Sequence, residues 1–182
     1  MALFHEEFPL GNFTFTIRNA EPEDAERMIE HVNQVDTESV FLRREPGEFS
    51  MSVEDEQKFL TRKRDSEFSL FLIAEVHGEI VASCEVQISP MKRFCHKGNL
   101  AIAVQKAYWS MGIGRKMMNA VISWCRDRGL IKIELTVDTE NQRALSLYSS
   151  LGFEIEGTIR KAKRLADGTT RDNYNMGILL EE

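Results

Sequence analysis

Phe13, Phe15 and Ile17 alternate with polar neighbours, the period of a half-buried strand, and Glu21-Pro22-Glu23-Asp24 then carries acids into the first turn of a helix ending near Gln34. Val35 to Ser50 shows no period and holds Pro46-Gly47, whereas Ser52-Val53-Glu54-Asp55 reads as the capping box of a second helix running to about Asp65. Alternation returns at Phe68–Val76 and Glu79–Ser89 around His77-Gly78, which predicts a hairpin. Gly98–Val104 reads as a fourth strand. Behind it Ile113, Met117, Val121 and Cys125 recur every four residues, a helical stripe that Gly129 stops. Ile131, Ile133, Leu135 and Val137 mark one face of a fifth strand, Glu140–Leu151 a fourth helix closed by Gly152, and two last strands near Phe153–Leu165 and Thr170–Leu180 surround Asp167-Gly168. About seven strands and about four helices without repeat or linker predict an α+β fold in one domain, residues 1–182. Its central sheet is mostly antiparallel and twisted, with helices flanking it.

One junction in this pattern carries chemistry. The apolar run Leu100-Ala101-Ile102-Ala103-Val104 leads through Gly112-Ile113-Gly114 into Arg115-Lys116 and the third helix. The first backbone N–H groups of a helix have no partner within it and carry the positive end of its dipole, and glycine lets a phosphate approach them closely. The order strand, glycine turn, helix therefore predicts an anion cradle for a phosphate-bearing cofactor. Neither common phosphate loop fits it. A dinucleotide fingerprint needs a third glycine where Met117 stands, and G-x-x-x-x-G-K-[ST] occurs nowhere in the chain.

The run Val104 to Gly114, followed by Asn141 and by Ala144-Leu-Ser-Leu-Tyr148-Ser-Ser-Leu-Gly152-Phe153, resembles the GNAT superfamily of acetyl-CoA-dependent N-acetyltransferases. The pair Tyr108-Trp109 is similar to the variant found near its ribosomal-protein N-terminal and diamine acetyltransferases, with Trp109 where the family's loop has Gln or Arg. The resemblance implies a GNAT-like fold and acetyl-CoA as co-substrate. It implies that the edge of Ile102, Ala103 and Val104 pairs with the pantetheine arm and that an N–H near Val104 meets the thioester oxygen. The loop Trp109, Met111, Gly112, Ile113, Gly114, Arg115 and Lys116, with Asn141, would complete the cofactor site. It implies Tyr148 as the acid that protonates the departing thiolate, although Ala144, Leu147, Tyr148 and Leu151 also make an ordinary buried stripe. In several relatives a glutamate five positions before the Asn drains the amine's proton. Here that position is Thr136, which leaves Glu134, Asp138 and, on the third strand, Glu85 as candidates.

Composition narrows the setting. With 42% apolar and 29% charged residues the chain is ordinary globular protein, and a net charge of −6 argues against a nucleic-acid surface. There is no basic leader and no apolar run of about 18 residues, so a cytoplasmic protein without membrane contact is expected. Three cysteines without C-x-x-C spacing fit reduced packing residues, and no metal site is expected.

The expected reaction is acetyl transfer from acetyl-CoA to a primary amine by direct attack in a ternary complex, since no cysteine sits in a motif with a histidine partner. Protein or peptide N-termini, amino acids and polyamines are the expected acceptors, their shape set by Asp36–Glu48 and by the hairpin around Lys161–Asn173, with Asp36, Glu38 and Glu45 as the acids that attract a cation. The alternative is a non-catalytic acyl-CoA-binding sensor or interaction module. A homodimer is compatible with both, through pairing of the last strand across subunits.

Overall fold

The protein is described here by a computed structural model covering residues 4–180. Its α+β class is as expected, with four α-helices and eight strands among the described residues. The strand beyond the expected seven is β1 (His5–Leu10), which pairs antiparallel with β2 (Phe13–Asn19) around Gly11 at φ 61°. Its sequence hides it, because Pro9 and two adjacent glutamates break the alternation. An outermost strand tolerates such a proline, and the Phe8 and Phe15 rings stack across the pair at 5.3 Å.

The chain divides into two compact units. The first holds residues up to Gln87 and Ala101–Val121. Here β2 pairs antiparallel with β3 (Ser69–Val76), and β3 with β4 (Glu79–Ile88). The expected hairpin closes through His77 and Gly78 at φ 51° and 84°, the two left-handed residues that match the twist of paired strands. α1 (Ala25–Glu38) and α2 (Val53–Asp65) complete the unit, and Ala20, Ala25, Met28, Leu60, Ile73 and Ile80 form its buried cluster. Each large side chain so buried contributes roughly 1.5–3 kcal/mol. Ser52 caps α2 as the sequence suggests, its Oγ accepting the Asp55 N–H at 3.1 Å. α1 runs one turn beyond Gln34, because Val35 and Asp36 are buried and Arg44 holds the Asp36 carboxylate at 2.7 Å.

The second unit holds Ile88–Leu100 and the chain from Ile122 onward. β5 (Lys97–Val104) and α3 (Ile113–Asp127) each contribute to both units. β5 pairs parallel with β6 (Lys132–Asp138), β6 antiparallel with β8 (Thr170–Leu179), and β8 antiparallel with β7 (Glu154–Arg164). The last strand therefore has both edges occupied and cannot pair across subunits, contrary to the sequence expectation. Ile133, Leu135, Val137, Met176 and Ile178 form the alternating buried positions. The α3 stripe of Ile113, Met117, Val121 and Cys125 is buried throughout. α4 (Gln142–Ser150) is shorter than Glu140–Leu151 because Asn141 caps it, Oδ1 accepting the Ala144 N–H at 3.2 Å.

Candidate active site

The parallel ladder between β5 and β6 consists of Lys97–Lys132, Gly98–Ile133 and Asn99–Glu134. β5 continues to Val104 without a further β6 pair among the described residues. Ile102, Ala103 and Val104 thus offer strand backbone to an extended arm, the mode in which a ligand adds itself as a strand.

The end of β5 is pinned from several sides within the first unit. The Gln105 N–H donates to Val81 O at 2.9 Å, and its Nε2 donates to Ile80 O at 3.0 Å. The same Nε2 lies 3.5 Å from Nδ1 of His31, whose Nε2 is 3.2 Å from Ser83 Oγ. His31 is 1% exposed, and burial pulls its pKa down to about 4, so the imidazole is neutral at physiological pH. The Lys106 N–H donates to Glu38 at 2.6 Å.

Beyond this anchor one short turn, Lys106–Tyr108, brings Trp109 back over the strand, where its indole Nε1–H donates to Val104 O at 2.7 Å. This explains the departure from Gln or Arg at position 109, since the tryptophan ties the loop to the end of β5. Ser110 and Gly112 then adopt φ of 62° and 87°, with Met111 between them in ordinary backbone. Left-handed residues alternating with ordinary ones turn successive N–H groups toward one side, the arrangement of anion-binding nests. The space a Gly112 Cβ would take is open, so the constraint there is backbone conformation and not crowding. Gly114 is absent from the left-handed glycines and sits in the first turn of α3.

The amides of Gly112, Ile113 and Gly114 precede the first α3 bond, that of Lys116 N–H to Gly112 O at 3.1 Å. With no carbonyl one turn earlier, they and the dipole of a 15-residue helix favour an anion. These residues fit a diphosphate. The Lys116 amide is committed to the helix, and its ammonium stands 4.9 Å over the Phe8 ring.

The carboxylates proposed as bases have partners of their own. Lys63 of α2 bonds to Glu85 on β4 and, at 2.7 Å, to Gln87. In the second unit Lys97 Nζ reaches both oxygens of Glu134 at 2.7 and 2.8 Å. Asp138 is buried, with Lys163 at 2.9 Å and the Glu140 N–H on its Oδ1 at 2.9 Å. Tyr148 is buried on α4 with its ring 6.0 Å from that of Phe153. Asn141 Oδ1 serves the helix cap with one lone pair, which leaves its NH2 donors and the second lone pair for a cofactor. Of the acids expected to attract a cation, Asp36 is held by Arg44 and Glu38 by Lys106, and Glu45 stays exposed. Among the described residues no group of three or more His, Cys, Asp or Glu is placed to hold a metal ion, and no helix is long and apolar enough to cross a membrane.

The model of the acetyltransferase (GNAT) family matches residues 33–153, a stretch that contains the β5 edge, the nest and α4. The chain belongs to the GNAT family. Among its GNAT relatives is the L-amino acid N-acetyltransferase AaaT of Escherichia coli (strain K12), 31% identical over 106 residues. That stretch is 58% of this chain and spans 65% of the relative's length. A GNAT-family acetyltransferase from Streptococcus pneumoniae has the same fold, with a TM-score of 0.87 and 32% identity over 91% of this chain and 99% of that one. The yncA protein of Salmonella typhimurium, solved with its cofactor acetyl-CoA, shares the fold at a TM-score of 0.80 and 18% identity over 92% and 95% of the two chains.

Proposed function

We propose that this GNAT chain acts over residues 1–182 as one N-acetyltransferase domain, moving the acetyl group of acetyl-CoA to a primary amine in a ternary complex. The observation that carries the reading is the bend at Ser110 and Gly112, which follows the open β5 edge and leads straight into the first-turn amides of α3. A relative of the same fold holds acetyl-CoA, and a curated relative is named for N-acetylation of amino acids.

In this reading the amides of residues 111–115 hold the diphosphate, and the backbone of Ile102–Val104 aligns the pantetheine arm. Acetyl-CoA supplies the acetyl thioester. An N–H near Val104 stabilises charge gathering on the thioester oxygen. The amine nitrogen bonds to the carbonyl carbon, the carbon–sulfur bond breaks, and the amine's proton leaves through Glu134, Glu85 or water. Tyr148 delivers a proton to the departing sulfur. A phenol of pKa near 10 can do so to a thiolate whose acid has pKa about 8.5 with little energy difference.

The engaged state of both glutamates favours acceptors that need little help. An α-amine of pKa near 8 is roughly a tenth neutral at pH 7, a deficit of about 1.4 kcal/mol, whereas a lysine amine near 10.4 faces close to 5 kcal/mol. Amino acids and peptide N-termini therefore come first as acceptors, and polyamines after them.

Calorimetry with acetyl-CoA, followed by thiol release in the presence of an amine panel, tests the proposal. Binding with thiol release only when an α-amine is present is the expected result. Binding without thiol for any amine would favour the sensor alternative, for which the paired Glu85 and Glu134 speak. No heat at all would overturn the cradle.

A further inference from the structure

Asp138 ends β6 with its side chain 0% exposed, and the proposed reaction gives it no step. A carboxylate taken so far out of water needs compensation, which here comes from two directions. From the turn that follows, the Glu140 N–H donates to Oδ1 at 2.9 Å and the Asn141 N–H donates to the Asp138 carbonyl at 3.0 Å. From the β7–β8 hairpin, the Lys163 ammonium stands 2.9 Å from Oδ2, a charge contact, since Oδ2 accepts no well-directed hydrogen bond among the described residues. Arg171, opposite Lys163 in the β7–β8 register, lies 3.8 Å from Oδ1 and bonds to Glu140. The Thr139 N–H donates to Asp172 O at 3.0 Å, a further tie between turn and hairpin.

The turn held in this way is the start of α4. Its last residue, Asn141, caps the helix, and Tyr148 lies seven residues further on, about 10 Å along the axis. With 9 residues α4 is short, so a change of direction at the cap is carried to Tyr148 as a rigid rotation. A tilt of about 6° moves a group at that distance by about 1 Å. Misplacement on that scale costs a reacting group on the order of a hundredfold in rate.

We propose that Asp138 and Lys163 latch the β6–α4 turn to the β7–β8 hairpin and are positioning residues for Tyr148, an inference that rests on the reading of Tyr148 as the acid. Asp138 shapes the turn through Oδ1 and its carbonyl, and Lys163 balances the charge left on Oδ2. Neither residue exchanges a proton with the substrate. Their effect therefore falls on the chemical step rather than on the hold of the cofactor, and it vanishes once the phenol they place is gone.

K163M, which removes the cation and keeps the apolar stem, should lower kcat with an α-amine by about tenfold or more, while acetyl-CoA affinity by calorimetry holds within about threefold. D138N keeps the Oδ1 acceptor but turns an amide donor toward Lys163, and should match K163M. K163R returns a cation to Oδ2 and should recover most of the loss. In a Y148F background neither K163M nor D138N should lower kcat by more than about twofold further, because groups that act as one unit are not additive. Hydrogen exchange should show faster exchange at residues 139–145 in K163M with β6 and β8 still protected, which also confirms the fold. Wild-type kcat in folded K163M overturns the proposal, as does a loss that K163R does not recover. So does a loss that multiplies with that of Y148F, which would make Asp138 an acting group in its own right. If D138N fails to fold, K163M on the half-buried hairpin lysine decides the question alone. Wild-type turnover in Y148F removes the acid and the latch together, whereas a loss in Y148F beside an intact K163M removes the latch alone, so the two failures are told apart.

Discussion

The loop from Gln105 to Lys116 and the segment running from β6 into α4 contribute different kinds of chemical group. In the proposed reading the loop offers its main chain to the ligand, while its side chains have structural work: Trp109 bonds to Val104 O, Lys116 lies over Phe8, and Ile113 is buried. In the other segment side chains were to supply the chemistry, yet Glu134 is held by Lys97, Asp138 by Lys163, and Asn141 by the cap of α4. A backbone site keeps its function while its side chains are spent on rigidity. A side-chain site has to choose, and of the groups read from β6 and α4, Tyr148 is proposed as the acid, while Glu134, held by Lys97, shares the base's role with Glu85 and water.

The largest test of that contrast is Tyr148→Phe. Loss of a positioned general acid typically costs 10² to 10⁴ in rate, so turnover should fall by roughly that factor. Acetyl-CoA affinity by calorimetry should hold within about twofold, because the ring packing against Phe153 is retained. Unchanged turnover would leave this segment with structure alone and widen the difference between the two regions.

Gly112→Val addresses the loop. A β-branched residue at φ 87° is strained in open space, and relieving the strain turns the amides away. Affinity for acetyl-CoA should drop about a hundredfold, nearly 3 kcal/mol, with the far-ultraviolet spectrum kept. Gly114→Val, in ordinary helical backbone, should cost less than Gly112→Val, although the sequence alone ranks the two glycines equally. An unchanged affinity in the folded Gly112 variant would remove the cradle.

Local patterns made the loop readable. Gly112, the helical stripe from Ile113, the Ser52 cap and the His77-Gly78 hairpin each follow from a few neighbouring residues, because backbone conformation is dictated nearby. What decides the β6–α4 segment comes from a distance. Lys97 lies 37 positions from Glu134, and the β5–β6 register that brings them together is written in neither strand. Asn141 could have been recognised as a cap, since asparagine ahead of a helical run is a common start signal. His31 also left a trace: it falls on the Met28, Val35 stripe of α1, a polar residue at a core position that calls for buried partners. β1 left none.

His31 gives the loop's support a pH dependence. The folded pKa of about 4 lies below the ordinary 6.5, so between these values the unfolded chain binds more protons and stability rises with pH. The contribution is whole above pH 6.5 and is lost as pH falls toward 4, at about 2–3 kcal/mol over the window. Urea unfolding at pH 7 and pH 4.5 should show the loss, and His31→Gln, which keeps hydrogen-bonding capacity without the titration, should flatten it. An equal slope in that variant would place the acid sensitivity elsewhere, for example in Asp24. Burial opposes its charge, but Arg18 and the Glu21 N–H hold its pKa below the ordinary value.

The smallest expected effect is the most discriminating for the contrast between main chain and side chain. Trp109→Phe keeps an aromatic body but deletes the donor to Val104 O, a loss worth about 1 kcal/mol of stability. If the indole serves only to pin the loop, acetyl-CoA affinity should fall by a few-fold at most, far less than with Gly112→Val. Trp109→Gln, which puts a family residue back, should recover part of the loss through its own amide donor. A loss in Trp109→Phe as large as that in Gly112→Val would mean that the cradle depends on a side chain as much as on its amides, and the distinction between the two regions would fail at its clearer end.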